Sequence, residues 1–180
     1  MKKIILFTLL LTSLYSDSKI YIGANYGYFD EEFTDPLDAQ SSSESASIKI
    51  GYGDRKAYAV EFIIDRTENE SKIFSNKDEA KYSINMALIK SFDLGIYINP
   101  FIKAGFGAGT LKIDRELQDS LAFGSFNLGV GTYIPITDYF DLELGYSYKS
   151  VSYQTVNNVS EKIPYESDVN TFYTGFNVRF

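Results

Sequence analysis

Apolar and polar positions alternate with a period of two through most of this 180-residue chain. Successive side chains of a strand point to opposite faces, so the alternation reads as sheet with one bulky apolar face and one polar face. In the final stretch Phe172, Phe176, Val178 and Phe180 fall on one face, and Tyr173, Gly175, Asn177 and Arg179 on the other. Seven earlier segments behave alike, at 20–28, 46–52, 58–65, 81–88, 102–109, 125–134 and 140–149. Eight such segments predict an all-β fold: an eight-stranded antiparallel up-and-down barrel.

The connections alternate as well. Those near 29–45, 66–80, 110–122 and 150–170 are long and polar, whereas those near 53–56, 90–100 and 135–139 are short. Long connections at one end and short ones at the other are the pattern of barrels that span a membrane, with loops outside and turns in the periplasm. An even strand count brings both termini to the turn end. The segment 90–100 contains Ile96-Tyr97-Ile98, which could add residues to a neighbouring strand and so bears on the count of eight. All four prolines fall in loops, turns or strand starts, where a missing N–H breaks no ladder.

Glycine tells the two faces apart. Gly23, Gly27, Gly51, Gly105, Gly107, Gly109, Gly129, Gly131, Gly145 and Gly175 all lie on the less apolar face. The interior of an eight-stranded barrel is only just wide enough for side chains to fill it, so small residues belong inside. A soluble sandwich or lipocalin-like barrel would need the bulky face inside instead. The bulky face is therefore expected against hydrocarbon, with Tyr26, Tyr28, Tyr146 and Tyr148 as one interfacial aromatic belt and Phe140 and Phe180 in the other.

Composition narrows the setting. Lys2 and Lys3, the apolar run 4–14, and Ser16 and Ser18 together predict a cleaved export signal over 1–18, leaving 19–180 as one barrel domain. Removing Lys2, Lys3 and Asp17 moves the formal net charge from −7 to −8, which argues against nucleic acid as a partner. Mean hydropathy is slightly negative, as expected where only every second residue meets lipid. There is no cysteine, so neither a disulfide nor a lipidated cysteine is expected.

The chain contains no histidine either. Ser-His-Asp and Cys-His arrangements are impossible, and an enzyme is not expected. No cofactor or metal site is expected. The run Gly105-Phe106-Gly107-Ala108-Gly109 lacks the spacing and the following helix of a dinucleotide loop. The acids between Asp30 and Glu44 lack the spacing of a calcium loop and read as solvated surface, as does the pair Glu31-Glu32.

The inward face is expected to carry Lys49, Glu61, Lys81, Lys103, Glu143 and Arg179, with Asp65, Asp141 and Lys149 nearer the ends. Charges in so narrow a lumen must be paired. Lys49 and Glu61 are symmetric about residue 55, which predicts that they face each other across the turn, and Asp141 is expected to pair with Arg179. Two readings stay open: a gated ion path, or a salt-bridged plug.

These features, with the strand Pro100-Phe101-Ile102-Lys103-Ala104-Gly105-Phe106-Gly107-Ala108-Gly109 and the terminal Phe180, resemble the OmpA/OmpX-type outer-membrane β-barrel domain family over nearly all of 19–180. The resemblance implies a lumen ion-pair network in which Lys49, Glu61, Lys103, Glu143 and Arg179 take part. It implies that Phe176, Val178 and Phe180 form the signal read by the barrel-assembly machinery. It further implies lipid and lipopolysaccharide as neighbours and a surface ligand met through the loops. The role it suggests is structural or surface-interacting, and the alternative is a narrow channel or OmpW-like conduit for small hydrophobic molecules. No peptidoglycan-binding segment follows Phe180, so cell-wall tethering is not expected.

Overall fold

The computed structural model describes residues 18–34, 39–68, 78–113, 120–154, 156–157, 162–163 and 165–180. The expected export segment thus lies almost wholly outside the described residues, as do Asp35, Pro36, Asp38 and Pro164. The chain forms β1 (Lys19–Phe33), β2 (Gln40–Gly53), β3 (Tyr58–Thr67), β4 (Asp78–Ser91), β5 (Asn99–Ile113), β6 (Ser120–Pro135) and β7 (Phe140–Tyr153). A small ribbon of β8 (Val156–Asn157) and β9 (Lys162–Ile163) follows, and then β10 (Glu166–Arg179). Apart from that ribbon, each strand pairs with its neighbour, and β10 returns to pair with β1, closing an eight-stranded antiparallel barrel. Ile96 and Tyr97 stay in an exposed turn between β4 and β5.

The strands overrun the loops expected from the sequence. The segment 29–45 is mostly a paired hairpin, with Asp30 opposite Ser42 and Glu32 opposite Gln40. At the same end β5 runs to Ile113 and β7 to Tyr153. The reason lies in side chains that keep alternating beyond the aromatic belt, such as Phe29, Phe33, Leu111, Ile113 and Leu121, all buried.

One rule sorts the two faces: among the described residues every buried one is odd-numbered, and the exposed large apolar residues within the strands are even-numbered. Each barrel ladder pairs odd with odd, and the one register irregularity falls at the very start of β4. The outer surface therefore presents Ile22, Ile50, Phe62, Ile84, Met86, Ile102, Phe106, Val130, Leu144 and Phe176 in a continuous belt. In water that belt would be a liability; in hydrocarbon it is the solvent-facing surface, and closure leaves no unpaired edge within it.

The lumen is filled by pairing large side chains with glycines directly opposite. Tyr21 lies across from Gly51, Tyr173 from Gly145 and Phe101 from Gly131. A Cβ added at Gly51 would sit 2.2 Å from Tyr21 Cζ, and one at Gly145 would sit 2.4 Å from Tyr173 Cζ. The inward glycines are the hollows that admit these rings, which refines the expectation that they merely relieve crowding.

The short turns are individually locked. In the β2–β3 turn the Lys56 N–H donates to Asp54 Oδ1 at 2.8 Å. In the β4–β5 turn Gly95, at φ 68°, donates its N–H to Asp93 Oδ1 at 3.1 Å. That bond, helped by Lys56, holds the Asp93 carboxyl below its ordinary range.

Two outcomes test this arrangement. Leu144→Arg, midway across the belt, should cost about 2–4 kcal/mol in a reversible vesicle-folding titration, and Ile136→Arg in the β6–β7 turn about 0–1 kcal/mol. Equal costs would show the assigned depths to be wrong. Gly51→Ala must push the Tyr21 ring aside and should destabilise by about 1–3 kcal/mol; an unchanged unfolding midpoint would contradict the ring-in-hollow packing.

Candidate functional site

The chemistry of the molecule is concentrated in the lumen, where side chains fall into layers. At the turn end Tyr21, Ala59, Ile89, Phe101 and Tyr133 pack into an apolar cluster, each at most 2% exposed. A water-filled bore through this level would wet its walls, and these residues are dry. The Phe101 and Tyr133 rings meet at 4.6 Å between centroids. Below them Arg179 is paired with Asp141, and Arg55 reaches from the β2–β3 turn to the same carboxylate at 3.0 Å. The Arg179 guanidinium also stacks 4.6 Å from the Tyr21 ring.

The next layer is centred on Glu143. Lys49 donates to its Oε2, Asn177 Nδ2 donates to the same oxygen at 3.1 Å, and Lys103 Nζ lies 4.0 Å from Oε1. Lys49 Nζ is also 3.6 Å from Glu61 Oε1, and that oxygen accepts from the Tyr21 hydroxyl at 2.8 Å. Glu61 and Glu143 are wholly buried. Unscreened carboxylates at such depth persist only with counter-charges and donors in contact, and both have them.

Toward the loop end lies a chamber of about 110 Å³ bordered by Asn25, Ser47, Asp65, Lys103, Asn127 and Tyr173. One wall is a relay in which Asn127 Nδ2 donates to Asn85 Oδ1 and Asn85 Nδ2 donates to Asp65 Oδ2, each at 2.9 Å, while Lys149 pairs with Asp65. Above it Glu31 accepts from Lys81, from the Tyr153 hydroxyl at 2.8 Å and from Ser167 Oγ at 2.6 Å. A second apolar cluster closes the loop end: Phe33, Leu111, Ile113, Leu121, Val151 and Tyr153, with Phe123, Tyr165 and Val169 against it.

The structure brings Lys49, Glu61, Lys103 and Glu143 into one group. It places Arg179 in another, with Asp141 and Arg55. Lys49 and Glu61 do not face each other: Lys49 is opposite Ile63 and Glu61 opposite Gly51. The hairpin is symmetric about residue 56 rather than 55, so the pair is diagonal. Glu31 is corrected more sharply, from solvated loop to buried bolt. The signal was the continued alternation through Phe29, Glu31 and Phe33, which puts all three inside. Glu32, by contrast, faces out and accepts from Gln40. Arg55 had no sequence signal, because its partner is on the far side of the turn end.

Phe176, Val178 and Phe180 share the outer face of the closing strand, and the Phe180 N–H donates to the Ile20 carbonyl at 2.8 Å. Among the described residues no group of three or more acidic side chains is placed to hold a metal ion.

Residues 6–180 match the family described as outer membrane protein beta-barrel domain. The chain belongs to that family. It is accordingly an integral outer-membrane protein, in line with the lipid-compatible belt. Its fold is shared with Neisserial surface protein A at 17% identity and a TM-score of 0.72, covering 92% of this chain and 100% of that one. OprG of Pseudomonas aeruginosa is similar at 13% identity and a TM-score of 0.55, covering 91% and 96%. So is Ail, the attachment invasion locus protein of Yersinia pestis, solved with the heparin analogue sucrose octasulfate, at 17% identity and a TM-score of 0.52, covering 90% and 99%. At such identities the likeness carries the fold alone. Nothing among curated proteins matches this sequence.

Within this barrel Glu143→Gln should leave Lys49 and Lys103 short of counter-charge and cost about 3–5 kcal/mol. Adding Lys49→Met should recover part of that loss, with a double-mutant coupling of about 0.5–3 kcal/mol. Strict additivity in vesicle unfolding would show that the two side chains do not interact.

Proposed function

We propose that this outer-membrane barrel serves a structural or surface-interaction role through its loop end, with a lumen that carries no steady flux. The observation that carries the reading is the pair of dry apolar clusters toward the two ends of the lumen, with the Glu143 layer and the chamber between them. Interior side chains here are spent on filling and locking, not on lining a bore. The loop-end cluster also gives the hairpins beyond the aromatic belt a core of their own, with Glu31 bolting β1 to Lys81 of β4, Tyr153 of β7 and Ser167 of β10. Such a collar fixes the described strand ends at that face, and a preorganised rim favours recognition because less freedom is lost on binding.

The outer rim of the collar is acidic. Asp30, Glu32, Glu44, Glu68, Glu166 and Asp168 are answered among the described outward side chains at that end by Arg66 and Lys112. This charge favours a basic ligand and disfavours a sulfated polymer of the kind represented by the compound solved with Ail. Lipopolysaccharide would surround the Tyr26, Tyr28, Tyr146 and Tyr148 belt. Phe176, Val178 and Phe180 would be read by the assembly machinery before the barrel closes. Absence of histidine supports a non-catalytic role.

The alternative, a narrow channel or hydrophobic conduit, rests on the central chamber. Planar-bilayer recording separates the two. The refolded protein should give no stable open level in 1 M salt, and a steady wild-type conductance would overturn the closed-lumen reading. Cells displaying the barrel should adhere better to immobilised basic protein than to heparin, and should lose that preference on joint replacement of Glu32, Glu44, Glu68 and Glu166 by Gln. The reverse preference, or one indifferent to the replacement, would overturn the loop assignment.

A further inference from the structure

The lipid-facing surface is not uniformly bulky. Across β4, β5, β6 and β7 it carries an apolar groove of about 480 Å³ bordered by Leu88, Lys90, Ile102, Leu128, Val130 and the rings of Tyr146 and Tyr148. Its floor is Ala104 together with the backbone of Gly129. The register explains the notch. Leu88, Ala104, Leu128 and Tyr148 form one cross-strand row, and Lys90, Ile102, Val130 and Tyr146 form the next. A methyl group at 104 thus sits among side chains that all reach further out.

The walls are fixed in advance. Tyr148 donates its hydroxyl to Asp168 Oδ1 at 2.6 Å, and Tyr146 donates to Asn170 Oδ1. Both hydroxyls are thereby turned toward β10, and the ring bodies are left as the groove's side. At the opposite edge stands Lys90, a cation on the outer face near the turn end. Its ammonium rests 4.1 Å from the Tyr58 ring centroid and 5.8 Å from that of Phe92. Among the described residues no carboxylate pairs with it, whereas Lys56 on the neighbouring turn is paired with Asp93. A lone cation held by aromatic rings at the interface, above a groove that only hydrocarbon can wet, matches one amphiphile in charge and polarity.

We propose that this groove is a specific phospholipid site, with an acyl chain laid over Ala104 between Leu88, Ile102, Leu128 and the two tyrosine rings, and an anionic headgroup at Lys90. The turn end is periplasmic in the orientation expected from the sequence, so the occupant is an anionic phospholipid of the periplasmic leaflet. The proposal rests on the membrane location and not on the role of the loops.

Native mass spectrometry of the refolded barrel, released from bilayers of equal phosphatidylglycerol and phosphatidylcholine, tests it. Wild type should retain one phospholipid, with phosphatidylglycerol favoured at least threefold. Ala104→Phe, which fills the notch, should lower the retained fraction at least fivefold while keeping the faster gel mobility of unheated barrel. Lys90→Gln should retain lipid but lose the headgroup preference. Equal retention by wild type and Ala104→Phe would overturn the site. So would a wild-type dimer that Ala104→Phe dissociates, since the groove would then be covered by a second copy. Lys90→Gln with its preference intact would overturn the headgroup assignment.

Discussion

The constraint on which everything else rests is that backbone N–H and C=O groups inside a bilayer have no water to bond. A sheet there must close, and β10 closes it on β1 over thirteen paired positions, from Tyr21 opposite Arg179 to Phe33 opposite Ser167. Once eight strands are closed, the lumen has room for side chains but little else. That narrowness explains why rings sit in glycine hollows and why each buried carboxylate has basic partners. The same closure forces the bulky even-numbered residues outward, into the one environment that tolerates them.

Charge inside such a barrel contributes less as net stabilisation than as a demand for complete pairing. Glu143 is met by Lys49, Asn177 and Lys103, and Asp141 by Arg179 and Arg55. Loss of one partner strands the others in a dry interior, so the layers behave as units. The apolar clusters above and below keep the Glu143 layer away from water, which strengthens its pairs. In the proposed surface role, such a stiff, filled cylinder would act as a mount for the loops. The collar beyond the aromatic belt, cored by Phe33, Leu111, Ile113, Leu121, Val151 and Tyr153, extends that stiffness to the loop bases.

The inner and outer surfaces solve different problems with the same alternation. Inside, glycine opposite a large residue makes a filled hollow. Outside, Ala104 among Leu88, Ile102 and Leu128 makes one that the chain itself does not fill. A hollow facing lipid costs little if an acyl chain can lie in it, so it is tolerated where an interior void of that size would not be.

What the sequence by itself determined is which side chains face lipid and which face the lumen. Alternation is local, and it held through all eight strands, including the inward placement of Lys49, Glu61, Lys103, Glu143 and Arg179. Continued past Tyr28, the same pattern would have placed Glu31 inside as well; the acidic look of 30–44 outweighed it. What only the tertiary structure decided is the register. Stepping around the ladders from Tyr21 through Gly51, Glu61, Ala87, Gly105, Asn127, Lys149 and Val169 returns to β1 at Glu31, ten residues beyond the start. A slip of two residues at any hairpin leaves every face unchanged, so no pattern of polar and apolar positions can detect it. That is how Lys49 and Glu61 read as opposite and prove diagonal, and why Glu143 as the hub and Arg55 as a partner of Asp141 were not legible. Closure and the fit of rings into hollows select one register from several that alternation allows, and that choice sets which charges meet.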